Sequence, residues 1–89
     1  MIQQQVEIIN KLGLHARAAA KFVTTASAYE ADVYLEYDEQ KVNGKSIMGV
    51  MMLAAAKGSQ LELYVEGADE EQAATALIKL IQNRFDEEK

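Results

Sequence analysis

What this chain of 89 residues lacks narrows its chemistry more than what it holds. It has no cysteine, so there is no disulfide framework, no thiolate nucleophile and no cysteine-based zinc site. A single histidine is poor material for a metal site, and neither a metal nor another cofactor is expected. There is no proline, no low-complexity linker and no internal repeat to mark a boundary, and the length suits one domain over residues 1–89 with a single core. A deep cleft closed by two lobes is out of reach, which favours carrying or binding over elaborate catalysis. No apolar run approaches the length of a bilayer span, and Met1 to Val6 is polar without a basic-then-apolar start. The expectation is a soluble, cytoplasmic protein without membrane insertion.

Acid exceeds base, with a net charge of −5 that argues against a nucleic-acid partner. The distribution is more telling than the sum. Between Glu7 and Glu30 lie Lys11, Arg17 and Lys21 with no acid, and between Glu39 and Glu62 lie Lys41, Lys45 and Lys57, again with no acid. If folding joins the two windows they make a positive face on an acidic body, suited to acidic partners and to a phosphoryl group. Six solvated basic residues scattered by chance are the plainer alternative.

Strand and helix patterns alternate along the chain. Gln4 to Ile9 carries Val6 and Ile8 on one face with period two. From Ala16 to Ala28 the positions Ala16, Ala19, Ala20, Val23 and Ala26 recur at helical spacing, with Arg17, Lys21 and Thr24 elsewhere. Asp32 to Tyr37 alternates again, and Asp38-Glu39-Gln40 reads as a hairpin turn into a short strand at Lys41 and Val42. Ser46 is a favoured N-cap for a short helix from Ile47 to Leu53, with Val50, Leu53 and Ala54 on one face and a stop at Lys57-Gly58-Ser59. Leu61, Leu63 and Val65 mark a last strand. Asp69-Glu70-Glu71-Gln72 reads as a capping box opening a helix with Ala73, Leu77, Leu80 and Ile81 inward, and the tail from Asp86 to Lys89 is expected to fray. The order β-α-β-β-α-β-α fits an α+β fold, an open-faced sandwich of two layers in which a four-stranded antiparallel sheet is covered on one side by three helices.

Two segments look chemical. In Gly13-Leu14-His15-Ala16-Arg17-Ala18-Ala19-Ala20 a glycine turn runs into an alanine-rich helix. A helix start offers unpaired N–H groups and the positive end of the dipole to an anion. Imidazole can act as a nucleophile near neutral pH, and the arginine fork suits phosphate oxygens. Together they suggest a phosphoryl-carrying site, although a lone histidine is more often structural. Around Ser46, helical spacing turns Ile47, Met48 and Met51 away from Val50 and Leu53. Exposed methionines suit a surface that accepts partners of several shapes, the alternative being core filling, which stays open for Met52.

Gly13-Leu14-His15-Ala16-Arg17 followed by Val42-Asn43-Gly44-Lys45-Ser46-Ile47-Met48-Gly49-Val50-Met51 resembles the HPr family, the histidine-containing phosphocarriers of the bacterial phosphoenolpyruvate-dependent phosphotransferase system. The resemblance covers essentially the whole chain in length, element order and both motif positions. It implies that His15 accepts a phosphoryl group through Nδ1 from enzyme I and passes it to enzyme IIA, with Arg17 beside the phosphate. It also implies that Ser46 is the target of an HPr kinase/phosphorylase. The partner surface it implies is Ile47, Met48 and Met51 with Lys45, Ala16 and Ala20, on a monomeric carrier that is itself not an enzyme. One departure is Ala18, where many members have proline; alanine preserves the helix, so rigidity is affected more than chemistry. Phe85-Asp86-Glu87-Glu88 and the Val6-Glu7-Ile8-Ile9-Asn10-Lys11 start also resemble the NPr carriers of the nitrogen-related branch, whereas the Ser46 context favours HPr. A regulatory binding module that kept the fold and lost transfer is the reading from another class, and the presence of both His15 and Arg17 argues against it.

Overall fold

The computed structural model describes residues 1–89 and contains four strands, β1 (Ile2–Glu7), β2 (Asp32–Tyr37), β3 (Gln40–Asn43) and β4 (Gln60–Glu66), with three helices, α1 (Ala16–Ser27), α2 (Ile47–Met52) and α3 (Glu70–Gln82). All neighbouring strands are antiparallel, in the order β1-β4-β2-β3. The excursion through α1 leaves a gap between β1 and β2, and β4 fills it. Val33, Leu35, Leu61, Leu63 and Val65 point to the helical layer and are buried, which is the period-two alternation made physical. The opposite face stays open, where the Tyr64 hydroxyl donates to Glu36 Oε1 at 2.7 Å and the Lys41 ammonium stands 4.1 Å from the Tyr64 ring centre.

Several local expectations shift. The first strand begins earlier than its apolar alternation, and Ile8 lies beyond it, although Ile8 still exchanges backbone hydrogen bonds with Gly58 and Ser59. The β2–β3 turn places Asp38 and Glu39 at φ 54° and 68°, the left-handed pair that a two-residue hairpin requires, so β3 starts at Gln40. Helix α1 buries Ala18, Ala19, Phe22 and Ala26, while Ala16 is exposed and Ala20 and Val23 are half-buried. Phe22, fully enclosed, sets that face. Helix α2 ends sooner than Lys57-Gly58-Ser59 suggested: Ala54 adopts φ 50° and is exposed, and only Val50 and Leu53 face the core. At α3 the expected capping box is absent. The Asp69 carboxylate instead accepts the backbone N–H groups of Glu30 and Ala31, both at 2.9 Å, tying the helix start to the entrance of β2. Ala73, Leu77 and Ile81 are buried as expected, with Leu80 half-buried.

The tail does not fray. Arg84, Phe85 and Asp86 form one left-handed turn with φ 57°, 52° and 64°, and the Phe85 ring is fully buried. Lys21 Nζ donates to the Phe85 carbonyl at 3.0 Å, and the Lys11 N–H donates to the Lys89 carbonyl at 2.9 Å. These bonds hold the last residues as a strap across the N-terminal end of α1.

Candidate functional site

Gly13 sets the approach to His15. Its φ of 69° is left-handed, and a Cβ there would stand 2.6 Å from the Ala55 carbonyl oxygen and 3.0 Å from Ala56 Cα, so only glycine fits. Leu14 then donates its N–H to that same Ala55 carbonyl at 2.9 Å, fixing the turn against the segment after α2. His15 follows as the N-cap, in extended backbone at φ −77° and ψ 178°, and its side chain makes no capping hydrogen bond. The first intrahelical bond runs from Ala19 N–H to the His15 carbonyl at 2.9 Å. The N–H groups of Ala16, Arg17 and Ala18 are therefore without intrahelical partners, as at any helix start.

The His15 side chain retains 26 % of its exposure and is not a core histidine. Nε2 contacts Glu87 Oε2 of the strap. The other carboxylate oxygen accepts from Asn10 Nδ2 at 3.1 Å, and that same amide nitrogen donates to the Gly13 carbonyl at 2.8 Å. Asn10 is fully buried, and two acceptors on one nitrogen fix the sense of its amide. Burial pushes the Glu87 carboxyl up, but the hydrogen bonds from His15 and Asn10, together with the nearby His15 and Arg17, outweigh it and hold it below its ordinary value. Asn10 and Glu87 lie in the two stretches that resemble NPr carriers, but nothing in the sequence gives either of them a role at His15. The only hint is Phe85, an aromatic ring in an otherwise polar tail.

Arg17 is exposed and lines a shallow cleft of about 450 Å³ with Lys11, Leu12, Asp86, Glu87, Glu88 and Lys89. The two acid-free windows do not make one free positive face. Lys41 lies on the open side of the sheet, Lys45 Nζ donates to the Tyr29 carbonyl at 2.7 Å, and Asp86 stands 3.7 Å from Lys21. Chain direction explains this: β3 carries Lys41 away from the helical layer, while the strap brings acid to the α1 end.

Ser46 is the N-cap of α2, its Oγ accepting the Gly49 N–H at 3.1 Å, and α2 packs against α1. Ile47, Met48 and Met51 are exposed, and so is Met52, which removes the core-filling reading for it. Leu12 is also exposed, at the turn before His15.

An open-faced sandwich with an accessible imidazole at a helix start, an arginine two residues on and an apolar helix nearby has the features of a small carrier protein with an open site. Comparison with known proteins gives the particular case. The family model PTS-HPr, described as the PTS HPr component phosphorylation site, matches residues 2–83. Phosphocarrier protein HPr of Neisseria meningitidis (serogroup A) is 56% identical over 87 residues, covering 98% of both chains. A crystal structure of HPr-C-His from Thermoanaerobacter tengcongensis superposes with a TM-score of 0.96 at 49% identity, covering 100% of both chains. A structure of an HPr dimer from the same organism gives 0.79 at 49% identity over 98% of this chain and 100% of the other. The chain belongs to the HPr family and is a phosphocarrier of the phosphotransferase system. No helix is long and apolar enough to cross a membrane.

Proposed function

We propose that this carrier takes its phosphoryl group on Nδ1 of His15, from phosphorylated enzyme I, and gives it to a histidine of an enzyme IIA. The supporting observation is the placement of a partly exposed imidazole at the start of α1. Unpaired N–H groups and the positive helix end face an incoming anion there, and Arg17 adds a fork of donors. An exposed edge suits a group that must be held and then released, because two different partners have to reach the same nitrogen.

In this reading Ile47, Met48 and Met51 form the docking patch, bordered by Lys45, Ala16 and Ala20. Unbranched thioethers repack at small cost, so one patch can serve differently shaped partners. Ser46, at the head of the same helix, is the regulatory site for an HPr kinase/phosphorylase. A phosphate there gains from the α2 dipole yet puts about two negative charges into the docking surface. Each copy carries His15, Arg17 and the docking helix itself, so one copy suffices for transfer, although an HPr of Thermoanaerobacter tengcongensis has been solved as a dimer.

The test is incubation with phosphoenolpyruvate and enzyme I, followed by a search for acid-labile, alkali-stable phosphate. Wild type should be labelled at His15, and His15→Ala should take up no label while folding normally, because no other side chain offers a comparable nucleophile. Labelling of the alanine variant at another residue overturns the assignment.

A further inference from the structure

We infer that Glu87 is a positioning residue for phosphoryl transfer: its carboxylate holds Nε2–H of His15 and so presents Nδ1 as the free, lone-pair nitrogen. The inference rests on His15 being the acceptor. Neutral imidazole carries one ring proton, and which nitrogen holds it is set by the partner of that nitrogen. An ionised carboxylate only accepts, so the nitrogen facing Glu87 Oε2 is the one that carries hydrogen. Nδ1 makes no hydrogen bond within the chain.

The arrangement is built rather than incidental. The Glu87 side chain is only 11 % exposed, and Asn10 fixes its second oxygen while also holding the Gly13 carbonyl that leads into His15. One buried amide thus sets the carboxylate and the turn before the histidine together. The strap is anchored on both sides of Glu87, by Phe85 in the core and by Lys89 on the Lys11 N–H.

In the transfer step the lone pair of Nδ1 forms a bond to phosphorus as the bond from phosphorus to its leaving atom on the phosphorylated donor breaks. The proton on Nε2 stays where it is. The ring, neutral before attack, becomes a cation bearing the phosphoryl group, and the carboxylate lies against the nitrogen that keeps its proton. Glu87 therefore fixes the tautomer, orients the ring and offsets the charge that develops. It does not touch the phosphoryl group; where a comparable partner orients a metal-ligating histidine, its loss costs about ten- to a hundredfold, and the low end of that range is the scale expected here.

The experiment uses the full chain, with Glu87→Ala and Glu87→Asp beside wild type. Nitrogen-15 NMR of the neutral His15 ring reads the tautomer directly and does not depend on any partner. Wild type should show a single Nε2–H form, Glu87→Ala a mixture of both, and Glu87→Asp partial return. Initial rates of phosphoryl acceptance from enzyme I should fall about tenfold in Glu87→Ala and recover in part with aspartate. A wild-type tautomer pattern in Glu87→Ala, or acceptance as fast as or faster than wild type, overturns the inference. Failure of the carrier reading is distinguishable, because wild type itself would then remain unlabelled at His15 whatever the ring spectra show.

Discussion

Replacing Phe85 by alanine tests whether the tail is a strap or a frayed end. The ring is fully buried, and loss of a buried phenyl side chain costs about 3–5 kcal/mol when the surroundings cannot collapse. Against that burial stands backbone strain. Arg84, Phe85 and Asp86 all have left-handed φ values without a glycine among them, each disfavoured by about 1–2 kcal/mol. Burial of one aromatic ring is thus of the same size as the strain it holds in place, so without it the turn should relax and residues 84–89 should leave the α1 end. Relaxation returns part of that strain, so the net loss is smaller than the burial term alone, and each kcal/mol that remains lowers the melting temperature by about 4–8 °C in a domain of this size. The measurement is a calorimetric or circular-dichroism melt, with amide exchange at Lys11 as a local probe, since that N–H is bonded to the Lys89 carbonyl. A Phe85→Ala protein melting within about 2 °C of wild type, with Lys11 still protected, would refute the reasoning, because surface substitutions alone stay within about 0.5 kcal/mol.

Ser46→Asp keeps a capping oxygen for the Gly49 N–H and gains slightly from the α2 dipole, so its melting temperature should equal or exceed that of wild type. Its negative charge beside Met48 should nonetheless slow phosphorylation of His15 by enzyme I, and a wild-type transfer rate would remove Ser46 from the docking surface. Acid should destabilise the fold through carboxyls held low in the native state. Hydrogen bonds from the Glu30 and Ala31 amides hold Asp69 below its ordinary value, the Gly67 amide and the N-terminus do so for Glu70, and Glu87 is also held low. Because their folded values are depressed, the stability they contribute is complete above about pH 5 and is lost as pH falls through those values, from about pH 4 downward. Asp69→Asn should flatten that acid limb in melts taken across pH, and an unchanged limb would show that its two amide bonds contribute nothing.

The strands that cover the core were legible because their period-two alternation is strict: β2 matches its expected span, and Leu61, Leu63 and Val65 face inward as expected. The position of His15 at a helix start was legible for a local reason as well, a left-handed glycine two residues ahead of it. What escaped depends on partners far along the chain. In α1 the alanines give little contrast between faces, and the decision falls to Phe22 and to what it packs against. Asp69 has the sequence of a helix cap but is drawn to two amides 38 and 39 positions away, which a local motif cannot register. Glu87 is the strongest case. Four acidic or basic residues after Phe85 read as a solvated tail, and only contacts across 72 and 77 positions, to His15 and Asn10, give Glu87 a place in the site, with the strap itself held by the Lys21 bond to the Phe85 carbonyl.

The same contacts explain how a shallow site can be well positioned without a pocket. The backbone before His15 is held by Ala55, just after α2, through the Leu14 hydrogen bond and the close approach at Gly13. The ring is held by the strap, which is itself anchored on α1 through Lys21 and in the core through Phe85. Two chain segments far apart in sequence therefore restrain one imidazole, the segment after α2 through its backbone turn and the strap through its ring. A partner that docks on the exposed face of α2 meets a histidine whose position relative to that face is already set, so little further ordering is required on association. Loosening either restraint has a separate signature. Loss of the Gly13 approach would move His15 relative to Met48 and Met51 and weaken productive docking, whereas loss of Glu87 would leave docking intact and disturb only the ring. Binding of enzyme I and the rate of transfer within the bound complex should accordingly separate in Gly13→Ala and Glu87→Ala, and a common loss of both in each variant would mean that turn and ring are not restrained independently.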